Sequence, residues 1–152
     1  MNMKIAIGSD HGGVELKNEI IEYFKEKGYS YHDYGTYSTA SVDYPDIGLT
    51  VAEAVKNKEA DRGIVICGTG IGIGISANKV PGIRCAMLSD VYSAQMTREH
   101  NDANMIALGG RTIGAGLAIM IVDKFLNTDF SYEQRHQRRI DKITEIEKKY
   151  NK

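Results

Sequence analysis

An uninterrupted apolar run at residues 64–66 leads directly into a loop with glycine at alternate positions. The run is β-branched and does not alternate with polar residues, which is typical of a strand buried on both faces of a parallel sheet. Cys67 ends the run, and glycines follow at positions 68, 70, 72 and 74. Glycines permit a tight turn and leave backbone N–H groups uncovered at a helix start, where an anion can bind. We therefore expect Cys67 to carry out chemistry beside an amide-lined anion hole.

Strand-like and helix-like segments alternate five times along the chain. Predicted strands cover residues 4–8, 30–34, 64–66, 84–88 and 105–108, and the predicted helices after them end near residues 28, 58, 78, 99 and 125. This alternation is typical of a doubly wound α/β fold with a parallel sheet and right-handed crossovers. We predict one domain over residues 1–152, a three-layer sandwich with a five-stranded parallel sheet. Residues 132–150 add a C-terminal helix, and the domain or a second copy must cover its Ile140, Ile143 and Ile146.

Polar residues follow three of the predicted strands. They are Asp10-His11 after the first strand, residues 67–74 after the third, and Gly109-Gly-Arg111 after the fifth. Ligands of such sheets bind beyond the carboxyl ends of the strands. We therefore expect these three segments to meet at one edge of the sheet.

The composition excludes several classes of partner. A net charge of -1 over 152 residues gives no electrostatic reason to expect nucleic acid. No apolar run approaches the roughly 20 residues that a membrane span requires, so we expect no membrane role. The chain opens without an apolar signal core and has only two cysteines, which predicts a reduced, cytoplasmic protein.

The glycine loop does not match the common nucleotide-binding motifs. No Gly-Lys-Ser/Thr follows it, and the glycines alternate instead of following the G-x-G-x-x-G pattern. A dinucleotide module stays open because Asp90 follows the next strand, where an acid could bind a ribose, and tight packing alone could also require the glycines. Cys67 itself could be a small buried residue, although a helix start favours its thiolate. Cys85 lies within a predicted strand, where we expect it to be structural.

Histidines and arginines supply further candidates, each of which could also be an ordinary surface residue. His11 and His100 lie in a strand-end loop and at a helix end. Arg135 and Arg139 lie four residues apart and therefore share one helical face, an arrangement suited to binding phosphate, and Arg111 is a third candidate. We expect the arginine pair to lie on the same edge of the sheet as Cys67. His, Cys and carboxylate spacings favour no metal site.

Seven motifs together resemble a known family. They are Gly8-Ser-Asp-His-Gly12, Val42-Asp-Tyr-Pro45, Ile66-Cys-Gly-Thr-Gly-Ile-Gly72, Ala77-Asn-Lys79, Gly82-Ile-Arg84, His100-Asn-Asp-Ala-Asn104 and Arg135-His-Gln-Arg-Arg139. The chain resembles type B ribose 5-phosphate isomerase, in the sugar-phosphate isomerase family that also holds galactose 6-phosphate isomerase. The resemblance implies a Rossmann-like fold, no metal or cofactor, and a homodimer or homotetramer with sites shared between subunits. It also implies interconversion of ribose 5-phosphate and ribulose 5-phosphate through an enediolate, in the pentose phosphate pathway.

The same resemblance implies a role for individual residues. Cys67 would take the C2 proton, Thr69 would handle the proton at the sugar oxygens, and His100 would open the furanose ring. The residues implied to bind substrate are Asp10, Tyr44 and Asn101 at sugar hydroxyls, Gly68, Gly70, Ile71 and Gly72 at the enediolate, and His11, Arg111, Arg135 and Arg139 at the phosphate. The chain departs from the family pattern at Gly74, where many relatives would have serine, and at Arg138, which adds a charge beside the phosphate-binding residues.

Other functions remain open from the sequence. A six-carbon sugar phosphate, such as galactose or allose 6-phosphate, could be the substrate of the same chemistry. A non-catalytic module that binds a nucleotide or sugar phosphate is a second class. A structural oligomerisation domain would explain the C-terminal stripe, but it would leave Cys67 and His100 without a role.

Overall fold

The structure, a computed structural model, describes residues 3–151, so the two first residues and the last residue of the predicted domain lie outside it. Its sheet has five strands: β1 (Lys4–Ser9), β2 (Ser30–Asp33), β3 (Arg62–Cys67), β4 (Cys85–Met87) and β5 (Met105–Gly109). All neighbouring strands pair in parallel, in the order β2-β1-β3-β5-β4. The predicted five-stranded parallel sheet is therefore confirmed.

Six α-helices accompany the sheet. They are α1 (Val14–Lys27), α2 (Tyr44–Lys56), α3 (Ile71–Asn78), α4 (Val91–Asn101), α5 (Ala115–Asn127) and α6 (Gln134–Tyr150), and a 3-10 turn at His11–Gly13 precedes α1. The first five connect strands or follow β5, and α6 is the predicted extra C-terminal helix. Within residues 3–151, the helices are too short or too polar for any of them to cross a bilayer.

The helices cover both faces of the sheet, because successive side chains of a strand point to opposite faces. Ile64 and Ile66 face the layer of α1, α4 and α5, and both are fully buried. Val65 and Cys67 face the layer of α2 and α3. The apolar run of β3 thus serves two cores at once, which confirms the predicted three-layer, Rossmann-like sandwich.

Short polar signals set the helix ends. Asp90 precedes α4 as its N-cap, and its Oδ1 accepts the Ser93 N–H at 2.7 Å. Gly28 ends α1 with a φ of 75°, a conformation that glycine adopts without strain. Asp102 ends α4 in the same left-handed region, with a φ of 45°. The chain then enters β5 within three residues, so the end of α4 lies at the amino edge of the sheet.

Helix α6 packs against α4, and this contact covers only part of the apolar stripe that runs along α6. Ile140 is buried, whereas Ile143 and Ile146 are 46% and 61% exposed. Both line an open groove that also borders edge strand β4. The domain therefore does not cover the predicted stripe completely.

Candidate active site

The loops after β1, β3 and β5 meet at the carboxyl edge of the sheet. The chain leaves β1 toward β2 on one side and returns to β3 on the other, so β1 and β3 form the switch point where α/β sheets bind ligands. A Cβ atom on Gly12 would lie 3.2 Å from the Gly68 nitrogen, and one on Gly110 would lie 2.6 Å from the Gly12 oxygen. The three loops therefore contact one another through their backbones. This confirms that the three polar segments share one edge.

Cys67 is the last residue of β3 and lies at the base of these loops. Its side chain is buried, and its Sγ accepts the N–H of Gly70 at 3.2 Å. Gly70 reaches the sulfur because its φ of 81° turns the loop back toward β3, directly before α3 begins. The sulfur atom therefore lies beside a backbone N–H donor and the amino terminus of α3. The arrangement is suited to a cysteine that accepts a proton.

The glycine loop is less open than the sequence predicts. Its amides were expected to be uncovered, but the Gly70 N–H donates to Cys67 and the Ile71 N–H donates to Thr69 Oγ1 at 3.2 Å. That correction follows from the loop conformation, which folds both amides onto its own side chains. The N–H of Gly72 belongs to the first turn of α3, where the helix offers it no acceptor. Thr69 is exposed, and its hydroxyl can still donate outward.

Asp10 and His11 line the β1 side of the site. Asp10 is buried, and its Oδ1 accepts the Gly12 N–H at 2.9 Å, which holds the turn after β1. His11 Nδ1 accepts the Val42 N–H at 3.2 Å. In the neutral ring the proton is therefore on Nε2, which leaves a donor for a ligand.

Tyr44 and Arg111 close two sides of the glycine loop. A Cβ atom on Gly72 would lie 2.6 Å from the Tyr44 ring, so that ring rests on the glycine backbone. The Arg111 guanidinium lies against Gly68, since a Cβ atom there would be 3.2 Å from Arg111 Nη1. Arg111 is also held by its own N–H, which donates to the Gly68 oxygen at 2.9 Å. We call Asp10, His11, Tyr44, residues 67–72 and Arg111 the carboxyl-edge group.

The other candidates lie at the opposite edge, and here one expectation is wrong. Arg135 and Arg139 were expected beside Cys67, but α6 packs on the end of α4 at the amino edge. Asn101 lies there too, because its carbonyl accepts the Arg84 Nε–H just before β4. The helices that connect the parallel strands run antiparallel to them, so α4 and α5 end at the amino edge of the sheet. Helix α6 follows α5 and therefore begins at the same edge. We call His100, Asn101, Arg135 and Arg139 the amino-edge group.

The register of the sheet gives the separation of the two groups. Gly63 pairs with Met105 at the amino edge, and Cys67 pairs with Gly109 at the carboxyl edge. Cys67 is four residues further along the strand than Gly63, a distance of about 13 Å at the usual rise per residue. One chain therefore does not bring all predicted site residues together.

His136 lies beside the amino-edge group and was not among the candidates selected from the sequence. Its ring stacks on that of His100, with centroids 4.2 Å apart and planes inclined by 16°. It is buried, and burial followed by the neighbouring His100 lowers its pKa, an effect that Arg135 and Arg139 reinforce and Glu133 opposes. The only available signal was its position inside the Arg135-His-Gln-Arg-Arg139 motif.

The remaining residues singled out from the sequence have structural surroundings. Cys85 is buried in β4, and burial raises its pKa to about 12, consistent with the structural role expected for it. A Cβ atom on Gly74 would lie 2.6 Å from Met87 Cγ and 3.1 Å from Ala107 Cβ, so Met87 fills the place a side chain would need. Arg138 is exposed on α6. Residues 3–151 contain no cluster of three or more His, Cys, Asp or Glu side chains suited to a metal ion.

The chain is similar to known proteins over nearly its whole length. A family model described as Ribose/Galactose Isomerase matches residues 5–143. Ribose-5-phosphate isomerase B of Escherichia coli is 49% identical over 97% of this chain and 99% of its own. The galactose-6-phosphate isomerase subunit LacB of Clostridium acetobutylicum is 44% identical over 95% of this chain and 83% of its own.

A solved structure is also very similar to this one. Ribose-5-phosphate isomerase B of Clostridium thermocellum superimposes with a TM-score of 0.95 at 61% identity, covering 97% of this chain and 99% of its own. The family model and both relatives span almost the whole chain, and the carboxyl-edge group lies within the matched residues. The chain therefore belongs to the ribose/galactose isomerase family.

Proposed function

We propose that the protein interconverts ribose 5-phosphate and ribulose 5-phosphate, with Cys67 as the base. The observation that carries the proposal is the thiol at the carboxyl end of β3, which accepts the Gly70 N–H at the switch point of the sheet. The resemblance of the whole chain to ribose-5-phosphate isomerases B supports the five-carbon substrate. Such an enzyme acts in the pentose phosphate pathway in the cytoplasm.

The reaction begins with ring opening, because ribose 5-phosphate exists mainly as a furanose. His100 assists this step: the C1–O4 bond breaks, O1 loses its proton and O4 gains one. Asp10, Tyr44 and Asn101 hold the hydroxyls of the open sugar. His11, Arg111, Arg135 and Arg139 bind the phosphate, where guanidinium groups can make paired hydrogen bonds.

Proton transfer between C2 and C1 follows. The Cys67 thiolate removes the C2 proton, the electron pair forms the C1=C2 bond, and the carbonyl electrons move to O1. Because the Gly70 and Ile71 N–H groups already donate to Cys67 and Thr69, the Gly68 and Gly72 N–H groups are the loop donors for this developing charge, and preorganised donors of this kind stabilise an enediolate. Thr69 moves a proton from O2 to O1, and the Cys67 thiol returns its proton to C1.

The site is completed by a second copy of the chain. Within one copy the carboxyl-edge group and the amino-edge group lie at opposite edges of the sheet, too far apart to hold one small sugar phosphate together. In a two-fold symmetric dimer each copy can offer one group to the other, which forms two equivalent sites. The amino-edge group of one subunit thus faces Cys67 of its partner.

A coupled assay with ribose 5-phosphate, without added metal and with a chelator, tests the proposal. We expect turnover in the wild type and a loss of at least about a hundredfold in kcat for Cys67→Ala, the usual contribution of a general base. Cys85→Ala is the matched control, because it removes the other buried thiol from an edge strand. A folded Cys67→Ala variant with full turnover would exclude the thiol as the base.

The same assay separates the substrate classes. Rates with galactose 6-phosphate and allose 6-phosphate, measured beside those with ribose 5-phosphate, decide between six-carbon and five-carbon preference. Isothermal titration calorimetry with NAD and with ATP tests whether the protein is instead a non-catalytic module that binds a nucleotide. Tight nucleotide binding without isomerase turnover would replace the proposed activity.

A further inference from the structure

His136 is the least expected residue near the amino-edge group. It lies in the first turn of α6 and is only 5% exposed, whereas His100 lies in the last turn of α4 and is partly buried. The two rings are nearly parallel, with centroids 4.2 Å apart. This separation places the rings face to face, so each limits the rotation of the other.

Several contacts fix the start of α6 on the end of α4, so the stacked pair is built into the fold. The Ser131 N–H donates to the Glu99 oxygen at 3.2 Å, and the Arg98 Nε–H donates to the Thr128 oxygen at 3.0 Å. Glu133 begins α6, and its carbonyl accepts the His136 N–H at 3.0 Å. The backbone that leads into His136 is thus held against α4.

The charged and titratable groups around His136 come from its own helix, α6, and from α4. Glu133 Oε2 lies 3.5 Å from His136 Nε2 and 2.9 Å from Arg135 Nη2. Arg135 and Arg139 contribute positive charge from α6, and His100 faces the ring from α4. Burial and these cations favour the neutral imidazole, which can stack on His100 without repelling it when His100 takes up a proton.

We propose that His136 is a positioning residue that holds the His100 imidazole in the orientation needed to open the sugar ring. This inference rests on the proposed function, since it assigns His136 to the step that His100 performs. His136 does not reach the substrate itself, because its ring is covered. It acts through the face of the His100 ring and leaves the His100 nitrogens free to exchange protons.

The stack predicts that His136 affects ring opening and not proton transfer by Cys67. The two steps can be measured separately. Net conversion of ribose 5-phosphate requires both steps. Exchange of the C1 hydrogen of ribulose 5-phosphate with D2O requires only proton transfer, because ribulose 5-phosphate has its phosphate on O5 and cannot close a furanose ring.

The experiment compares His136→Ala, which removes the stack, with His136→Phe, which keeps a flat ring. His32→Ala is the control, because it removes an exposed histidine from edge strand β2. We expect His136→Ala to lower net conversion about tenfold or more, as a misplaced catalytic group does, and to keep C1 exchange within about twofold of wild type. We expect His136→Phe to restore most of the conversion and His32→Ala to change neither rate.

The NMR signals of the His100 ring give a readout that does not depend on activity. We expect them to shift in His136→Ala and not in His32→Ala, because only the former removes the stacked ring. Unchanged His100 signals, unchanged conversion, or an equal loss of conversion and exchange in His136→Ala would each overturn the inference. A wild type without isomerase turnover would instead refute the proposed function, and the His100 signals would still decide whether His136 holds that ring.

Discussion

Mixing two inactive variants tests whether one catalytic site takes residues from two copies of the chain. Cys67→Ala removes the proposed base from the carboxyl-edge group, and His100→Ala removes the proposed ring-opening residue from the amino-edge group. The register of β3 and β5 separates these groups by about 13 Å of strand within one copy. If the site joins different copies, each variant supplies the group that the other lacks.

The recovered activity follows from counting sites. Random assembly of equal amounts makes half of the dimers mixed, and each mixed dimer has one site with an intact cysteine and an intact histidine. Its other site lacks both residues. We therefore expect about one quarter of wild-type turnover, and the same fraction holds if two dimers associate into a tetramer.

The assay is the conversion of ribose 5-phosphate by variants that are co-expressed, or mixed under conditions in which subunits exchange. Each variant is first measured alone. Cys67→Ala mixed with Thr69→Ala is the matched control, because both changes fall in the carboxyl-edge group and no combination restores an intact site. We expect that control mixture to show only the activity of its parents.

A site contained in one chain gives a different result. Every site in the mixture would then carry one substitution, and turnover would stay at the level of the parents. That outcome, in a mixture shown by mass spectrometry to contain mixed dimers, would refute the shared site. Recovery in the control mixture would refute the assignment of Thr69 to the same group as Cys67.

Two further predictions concern single residues. Arg139→Ala should raise the KM for ribose 5-phosphate by about tenfold to a hundredfold, since charge-assisted hydrogen bonds are worth about 1.5–3 kcal/mol. Steady-state kinetics measures this change, with Arg138→Ala as the neighbouring control. An unchanged KM in Arg139→Ala would show that the phosphate binds elsewhere. Burial raises the pKa of Cys85 from 9.0 to about 12, so its thiol stabilises the fold fully below pH 9 and progressively less as the pH rises toward 12. We expect thermal melts at pH 8 and pH 10.5 to show Cys85→Val gaining Tm relative to wild type at the higher pH; a pH-independent difference would contradict this.

Features with a local cause could be predicted from the sequence. The β-branched run at 64–66 identifies a strand buried on both faces, and Asp90 and Gly28 mark helix ends through short-range hydrogen bonds and backbone freedom. The meeting of the loops after β1, β3 and β5 follows from the parallel topology alone. These elements required no knowledge of how distant segments pack.

Features that depend on tertiary packing could not be predicted in the same way. Helix α6 has no following strand to orient it, so nothing in its sequence told which edge would hold Arg135 and Arg139. His100 and His136 are far apart in the chain, and no periodicity relates the two helices that bring their rings together. The amides of Gly70 and Ile71 turn inward because of a loop conformation that the glycines permit but do not require.

The backbone contacts among the loops after β1, β3 and β5 have a consequence for how this site can change. Gly12, Gly68 and Gly110 meet with no side chain between them, so a methyl group added at Gly110 would collide with the Gly12 oxygen. Gly12 and Gly110 therefore tolerate little substitution, even though no chemical role is assigned to either residue. New substrate preferences can arise more readily at the rim, through Tyr44 or, in the proposed dimer, through residues on α6 of the second copy, while the floor of the site stays the same.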